Sequence, residues 1–247
     1  IMKIDTVSFT DAIKYIADKA GIKVEEDERS PEQSAHDSQL QALQDVLYTA
    51  KLYYQSQLSP SESAYKYLLD RGLNEETIKS FDLGYAPNDT SLISFLKDKG
   101  FKEKDMEKSG LAFKTDEGRL VPRFRGRVIF PVIDYRGRTV GFGGRILEDN
   151  NKLAKYINSI DSVLFNKRKL LYGLYKTPKP KLRSEGLLIM EGYMDVLMSH
   201  QFGFSNAIAT MGTALTSDHV QKIKRFTSKV YLAMDGDAAG QDAIERS

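Results

Sequence analysis

The sequence predicts an α+β protein. A helical and mixed α/β N-terminal subdomain leads into an α/β subdomain with a mostly parallel sheet. Three observations predict this. Apolar residues recur at helical spacing through most of the first half. A strand-like run, Val128-Ile129-Phe130-Pro131-Val132-Ile133, interrupts that pattern in the middle. From 187 onward the pattern alternates strand, helix, strand, helix, strand, helix, which implies parallel strands joined by right-handed crossovers.

Each element has its own signal. Ser8 or Thr10 can cap a helix carrying Ile13, Ile16 and Ala17, which Gly21 closes. A polar, acidic linker covers 25–30. Pro31 stands near the start of a long helix running to about Gln55, with Leu40, Leu43, Val46, Leu47, Leu52, Tyr53 and Tyr54 in register. Ser59-Pro60 opens the next, which carries Ala64, Tyr67 and Leu68 and stops at Gly72. Asn74 and Thr90 read as further caps. Residues 1–118 contain no catalytic constellation and read as a packing and substrate-guiding lobe. In 119–183, a strand at 128–133 turns through Tyr135-Arg136-Gly137-Arg138 into a second at 139–142. Gly141, Gly143 and Gly144 predict a flexible segment that a backbone or ligand can approach closely. Pro178 and Pro180 predict a linker. In 184–247, strands at 187–190, 206–210 and 229–234 alternate with helices at 193–201, 217–226 and 238–246.

Composition narrows the chemistry. With 247 residues, 41% of them hydrophobic, the chain can bury one large core or two modest ones. It has no cysteine, which excludes disulfide scaffolds, zinc ribbons, thiol nucleophiles and iron–sulfur clusters. His36, His200 and His219 are far apart in sequence, so any metal is expected to be a hard ion held by carboxylates. No apolar run approaches the ~20 residues of a membrane span, and no secretory signal is evident, so the expected location is the cytoplasm, with no membrane partner.

Charge is uneven. Residues 119–183 hold 16 Lys and Arg against four acids, a local charge of +12, while the whole chain carries only +2. Phe124, Phe130, Tyr135, Phe142, Tyr156, Phe165, Tyr172 and Tyr175 are interleaved with these cations. Cations for phosphates and aromatics for stacking point to nucleic-acid or nucleotide binding, although most of these rings are expected in the core.

The acids converge elsewhere. Glu191-Gly192-Tyr193-Met194-Asp195 follows the first strand of the last third, and Asp235-Gly236-Asp237-Ala238-Ala239-Gly240 follows the third. Both motifs therefore fall on one sheet edge, where ligands of parallel α/β sheets bind. Asp195 lies one helical turn in, on the side that can face Glu191. Four carboxylates there need a cation, and Mg²⁺ suits oxygen ligands with waters left for phosphate. A calcium EF-hand starting at Asp235 fails at its twelfth position, which is Arg246. A phosphoaspartyl phosphatase would leave the Glu191 motif and the basic tract unexplained.

Glu-Gly before a βαβ unit, then Asp-x-Asp, resembles the Toprim fold. The flanks "RFRGRVIFPV", "GRTVGFGGR", "KYINS", "LFNKRKLLYGL", "EGYMDV", "MGTALT" and "DGDAAGQDA" resemble the RNA polymerase domain of bacterial DnaG-type primases, from about Pro122 onward. The resemblance implies that Glu191, Asp235 and Asp237 bind metal, with Asp195 in support. It implies that Lys155, Asn158 and Lys167 line the catalytic centre, with Arg125, Arg127, Arg145 and Arg168 in the basic nucleotide- and nucleic-acid-binding tract. The implied activity is synthesis of RNA primers on single-stranded DNA by nucleotidyl transfer, using two or more Mg²⁺ (or Mn²⁺) ions and ribonucleoside triphosphates. Guanosine tetra- or pentaphosphate is an expected further ligand. The family's zinc-binding domain and helicase-binding domain fall outside this sequence, which reads as a C-terminally truncated fragment without zinc. A Toprim nuclease, or an inactive nucleotide- or single-strand-binding fragment, stays open as an alternative.

Overall fold

A computed structural model describes residues 30–148 and 153–234. The expected helices at 8–21 and 238–246 lie outside them.

Helix α1 (Pro31–Leu58) runs three residues past its predicted end. From Leu43 onward it buries Val46, Leu47, Ala50, Tyr53, Tyr54 and Leu58. Helix α2 (Glu62–Asp70) starts later than Ser59-Pro60 suggests, because the Ser61 side chain accepts the Ala64 N–H and so fixes the N-cap. Asn74 caps α3 (Glu75–Ser80) by accepting from Thr77 at 2.8 Å. Strand β1 (Gly84–Ala86) comes next. Thr90 occupies the N-cap of α4 (Ser91–Asp98) but makes no capping bond; Asp89 accepts the Ser91 N–H instead, at 2.9 Å. Helix α5 (Glu103–Lys108) and the hairpin of β2 (Ala112–Lys114) with β3 (Leu120–Pro122) follow.

The centre is an antiparallel sheet of β4 (Arg127–Ile133), β5 (Thr139–Ile146) and β6 (Tyr156–Asn158), in the order β1-β4-β5-β6. Strands β4 and β5 are buried along their whole lengths. Alternation sends Val128, Phe130 and Val132 into one core and Ile129 into another, the latter packed on α1 and α4. The predicted flexible glycines are therefore central-strand residues. Gly141 lies under the Phe165 ring and Gly143 under the Tyr193 ring, so what they supply is close approach and not mobility. The predicted Pro178–Pro180 linker is a short helix, α6 (Lys179–Ser184), because proline is tolerated in a first turn.

Beyond it, β7 (Leu187–Met190), β8 (Ala207–Ala209) and β9 (Val230–Leu232) form a parallel sheet in the order β8-β7-β9. Helices α7 (Tyr193–Gln201) and α8 (Ser217–Ile223) make the crossovers. Tyr193, Met194, Val196 and Leu197 of α7 share one core with Val128, Phe130 and Val132 of β4. The parallel sheet is thus docked on the central one by apolar contact.

Two histidines belong to this packing. His219 is fully buried, and His200 Nε2 meets the Ala207 carbonyl at 2.9 Å. Burial lowers the pKa of both below the ordinary 6.5, with nearby lysines adding to the effect. The unfolded chain therefore takes up protons first as pH falls, and stability present above about 6.5 drains away below it. The urea midpoint should begin to fall as pH drops below about 6.5, above the range where carboxylates titrate. His219→Gln should shrink that fall.

Candidate active site

Strand β7 delivers Glu191 at its carboxyl end, and Gly192 caps α7. The Asp195 carboxylate accepts the Gly192 N–H at 2.9 Å, closing the turn that presents Glu191. Sequence reasoning put Asp195 on the Glu191 side; the structure adds that it ties down the intervening backbone. Strand β9 runs beside β7 with Ile189 opposite Leu232, and the Ala233 N–H donates to Ile189 O at 2.9 Å. Asp235 and Asp237 themselves lie outside the described residues, among which no group of three or more possible metal-binding side chains forms. The acids expected at the site offer carboxylate oxygens, donors that suit a hard divalent ion.

Tyr193, in the middle of "EGYMD", is a residue that sequence reasoning left without a role. Its ring stacks on Phe130 at 5.0 Å and meets Tyr172 edge-on at 4.7 Å. Burial pushes its phenol far above the ordinary value, so the hydroxyl stays protonated. It donates to Asn158 Oδ1 at 2.6 Å, and Asn158 Nδ2 donates to Met211 O at 3.0 Å. Met211 sits at φ 59°, a left-handed conformation costing a non-glycine residue roughly 1–2 kcal/mol. Arg123 Nε donates to Asn158 O at 2.8 Å. Asn158 thus links the edge of the central sheet to the turns after β7 and β8.

A cleft of about 400 Å³ opens here, lined by Arg123, Tyr156, Asn158, Asp161 and Lys167 among others. Lys155, immediately before β6, is exposed. Arg125 lines a different, larger cleft of about 550 Å³ with Lys66, Tyr67, Asn88 and Glu148. Arg145 is buried, with its guanidinium 4.6 Å from the Tyr67 ring centre and 5.9 Å from that of Tyr156. Arg127, expected in the nucleic-acid-binding tract, is instead buried and donates to the carbonyls of Gly144, Ala154 and Lys155 at 3.1–3.3 Å. A guanidinium so placed anchors the backbone at 154–155 to the central sheet. Lys167, Arg168 and Lys169 are exposed on one turn. Of the tract's rings, Phe124, Phe130, Phe142, Phe165 and Tyr172 are core, whereas Tyr135 and Tyr156 reach solvent.

Comparison with known proteins agrees with this geometry. Residues 53–178 match the family model described as the DNA primase catalytic core, N-terminal domain, and residues 185–247 match the Toprim domain. The chain is 40% identical over its whole length to the DNA primase of Clostridium acetobutylicum and 36% identical to that of Escherichia coli K12, covering 41% and 43% of those proteins. The zinc-binding and RNA polymerase domains of Aquifex aeolicus primase superpose with a TM-score of 0.78 at 32% identity, over 100% of this chain and 59% of that one. A DnaG primase catalytic domain bound to single-stranded DNA superposes with a TM-score of 0.77 at 38% identity, over 85% of this chain and 66% of that one. The chain spans about two fifths of the length of the curated relatives it matches.

Proposed function

The chain belongs to the bacterial DNA primase catalytic-core family, and we propose that it carries the nucleotidyl-transfer centre of a cytoplasmic primase that makes RNA primers on single-stranded DNA. Divalent metal use comes with a Toprim-containing primase. We assign Mg²⁺ (or Mn²⁺), in two or more ions, to Glu191, Asp235 and Asp237, with Asp195 holding the Glu191 turn. What chiefly supports the reading is Glu191 at the carboxyl end of β7, in a parallel sheet, two residues before the Tyr193 whose hydroxyl binds Asn158 in the cleft that Lys167 also lines. Bound metal would acidify the primer 3′-hydroxyl and neutralise charge on the triphosphate.

The chain's own residues bind and orient. Lys155 and Lys167 meet phosphate oxygens, and Arg125 and Arg168 extend the cationic surface to the template backbone, which a polymerase accepting many sequences must grip without reading bases. Asn158 and Tyr193 keep the cleft in register with Glu191. Arg145, stacked against Tyr67 and Tyr156, backs the cleft. Polyphosphate recognition of this kind reads charge and spacing, so guanosine tetra- or pentaphosphate is expected to compete with ribonucleoside triphosphates. The replicative helicase is the expected partner of the whole primase. A primer-synthesis assay with labelled ribonucleotides on single-stranded template, run beside a strand-nicking assay, tests the reading. Nicking without synthesis, both from this chain and from one extended at its C-terminus, would favour a nuclease.

Template binding should map to 119–183. Reversing Lys155 and Lys167 to Glu should weaken single-stranded DNA binding and flatten its logarithmic salt slope by about 1–1.5, since two phosphate contacts release fewer counterions. An unchanged slope in fluorescence titrations would make the tract an ordinary solvated face.

A further inference from the structure

The basic turn at 167–169 is held by its backbone from a single neighbouring element. The carbonyls of Lys167 and Leu170 lie 3.1 and 3.0 Å from His219 Nε2. The carbonyl of Arg168 accepts from Thr216 Oγ1 at 2.6 Å, and that of Lys169 accepts from Lys222 Nζ. Four successive carbonyls are therefore engaged by side chains of α8 and its cap. On the other side, Asn166 accepts the Arg168 N–H through Oδ1 and the Lys169 and Leu170 N–H groups through its carbonyl. His219 Nδ1 accepts the Thr216 N–H at 3.2 Å, so in this network the ring proton resides on Nε2 and is donated to the turn. The side chains of Lys167, Arg168 and Lys169 stay exposed, and none makes an ion pair among the described residues. A backbone this constrained beneath three exposed cations is preorganised: the cost of ordering the turn is met in folding and not at binding.

We propose that His219, with Thr216 and Lys222, is a positioning residue that presets the 167–169 turn so that Lys167 meets the phosphates of an incoming ribonucleoside triphosphate at the Asn158 cleft. The proposal rests on the nucleotidyl-transfer reading only for the identity of the ligand. It separates His219 from a merely structural core histidine by which of its two nitrogens matters. Glutamine at 219 can keep a donor near the Nε2 position; asparagine keeps polarity near Nδ1 and cannot reach the carbonyls.

The test is calorimetric titration of the chain with ATP and Mg²⁺, with deuterium uptake followed in peptides covering 164–172. His219→Asn should weaken binding about tenfold and raise uptake in those peptides, His219→Gln should stay within about twofold of the parent, and Lys167→Ala should weaken binding like His219→Asn. Thr216→Ala, at a partly exposed position, removes the Arg168 bond together with the cap bond from the His219 N–H, without a charge change, and should lie between; it decides the matter should His219→Asn not fold. Equal loss in the Gln and Asn variants would reduce His219 to packing and overturn the proposal, as would unchanged affinity in His219→Asn or Thr216→Ala beside a weakened Lys167→Ala. Full affinity in Lys167→Ala would remove the ligand reading itself, and the proposal with it.

Discussion

Glu191→Gln is expected to abolish metal-dependent nucleotidyl transfer, by about 10³-fold or more, while leaving the fold intact. The substitution keeps volume and shape and removes one negative charge. Glu191 is only half-buried, at the mouth of β7, and it is absent from the apolar cores. The chain around it is also held by contacts that do not involve its carboxylate. Asp195 holds the Gly192 N–H, the Tyr193 ring is wedged between Phe130 and Tyr172, and β7 is paired on both edges. On the proposed metal centre the variant loses a hard anionic ligand, and an amide oxygen is a far poorer one for Mg²⁺. Asp235→Asn should act alike. Two measurements are needed. Primer synthesis should vanish, and the rise in unfolding temperature produced by Mn²⁺ or Mg²⁺ should vanish with it, because a ligand of the native state stabilises only where it binds. A well-folded Glu191→Gln protein with ordinary activity would dismiss the carboxylate metal centre.

Much of the fold around Glu191 was legible because parallel α/β topology converts sequence order into spatial order. A short apolar run followed by Glu-Gly puts Glu191 at the carboxyl end of its strand once the runs are strands of one parallel sheet. The strand and helix around Glu191 have the predicted limits, Leu187–Met190 and Tyr193–Gln201. The connections between side chains distant in sequence could not be read. Nothing in "KYINS" announces that Asn158 reaches Tyr193 and Met211, 35 and 53 positions away. Nothing in a string of arginines separates Arg127, which faces carbonyls, from Arg125, which faces solvent. Strand alternation could have raised the question, since two residues of the same type two apart share a face only if both belong to the strand, and Arg125 precedes β4. The glycines of β5 misled for a related reason. A missing side chain reads as freedom when its neighbours are unknown and as close contact when they are present.

Gly143→Ala should therefore be among the most damaging small substitutions in the chain, costing about 3 kcal/mol of stability. A Cβ there would lie 2.5 Å from the Tyr193 hydroxyl oxygen and equally close to its ring carbon Cε2. The ring has no room to retreat. Phe130 is stacked at 5.0 Å, Tyr172 stands edge-on at 4.7 Å, and the hydroxyl is tied to Asn158 at 2.6 Å. Gly143 is paired with Phe130 on β4 and with Asn158 on β6, so the strand cannot yield either. Any relief must move Tyr193, and with it the Asn158–Met211 link and the turn bearing Glu191. Urea unfolding would show the loss as a lower midpoint, and primer synthesis should fall in the fraction that stays folded. A double-mutant cycle isolates the cause. Tyr193→Leu alone should destabilise, but Gly143→Ala placed on Tyr193→Leu should cost at least about 1 kcal/mol less than on the parent, because the smaller side chain leaves space for the new methyl. Strict additivity of the two substitutions would mean that strand and ring do not meet as described.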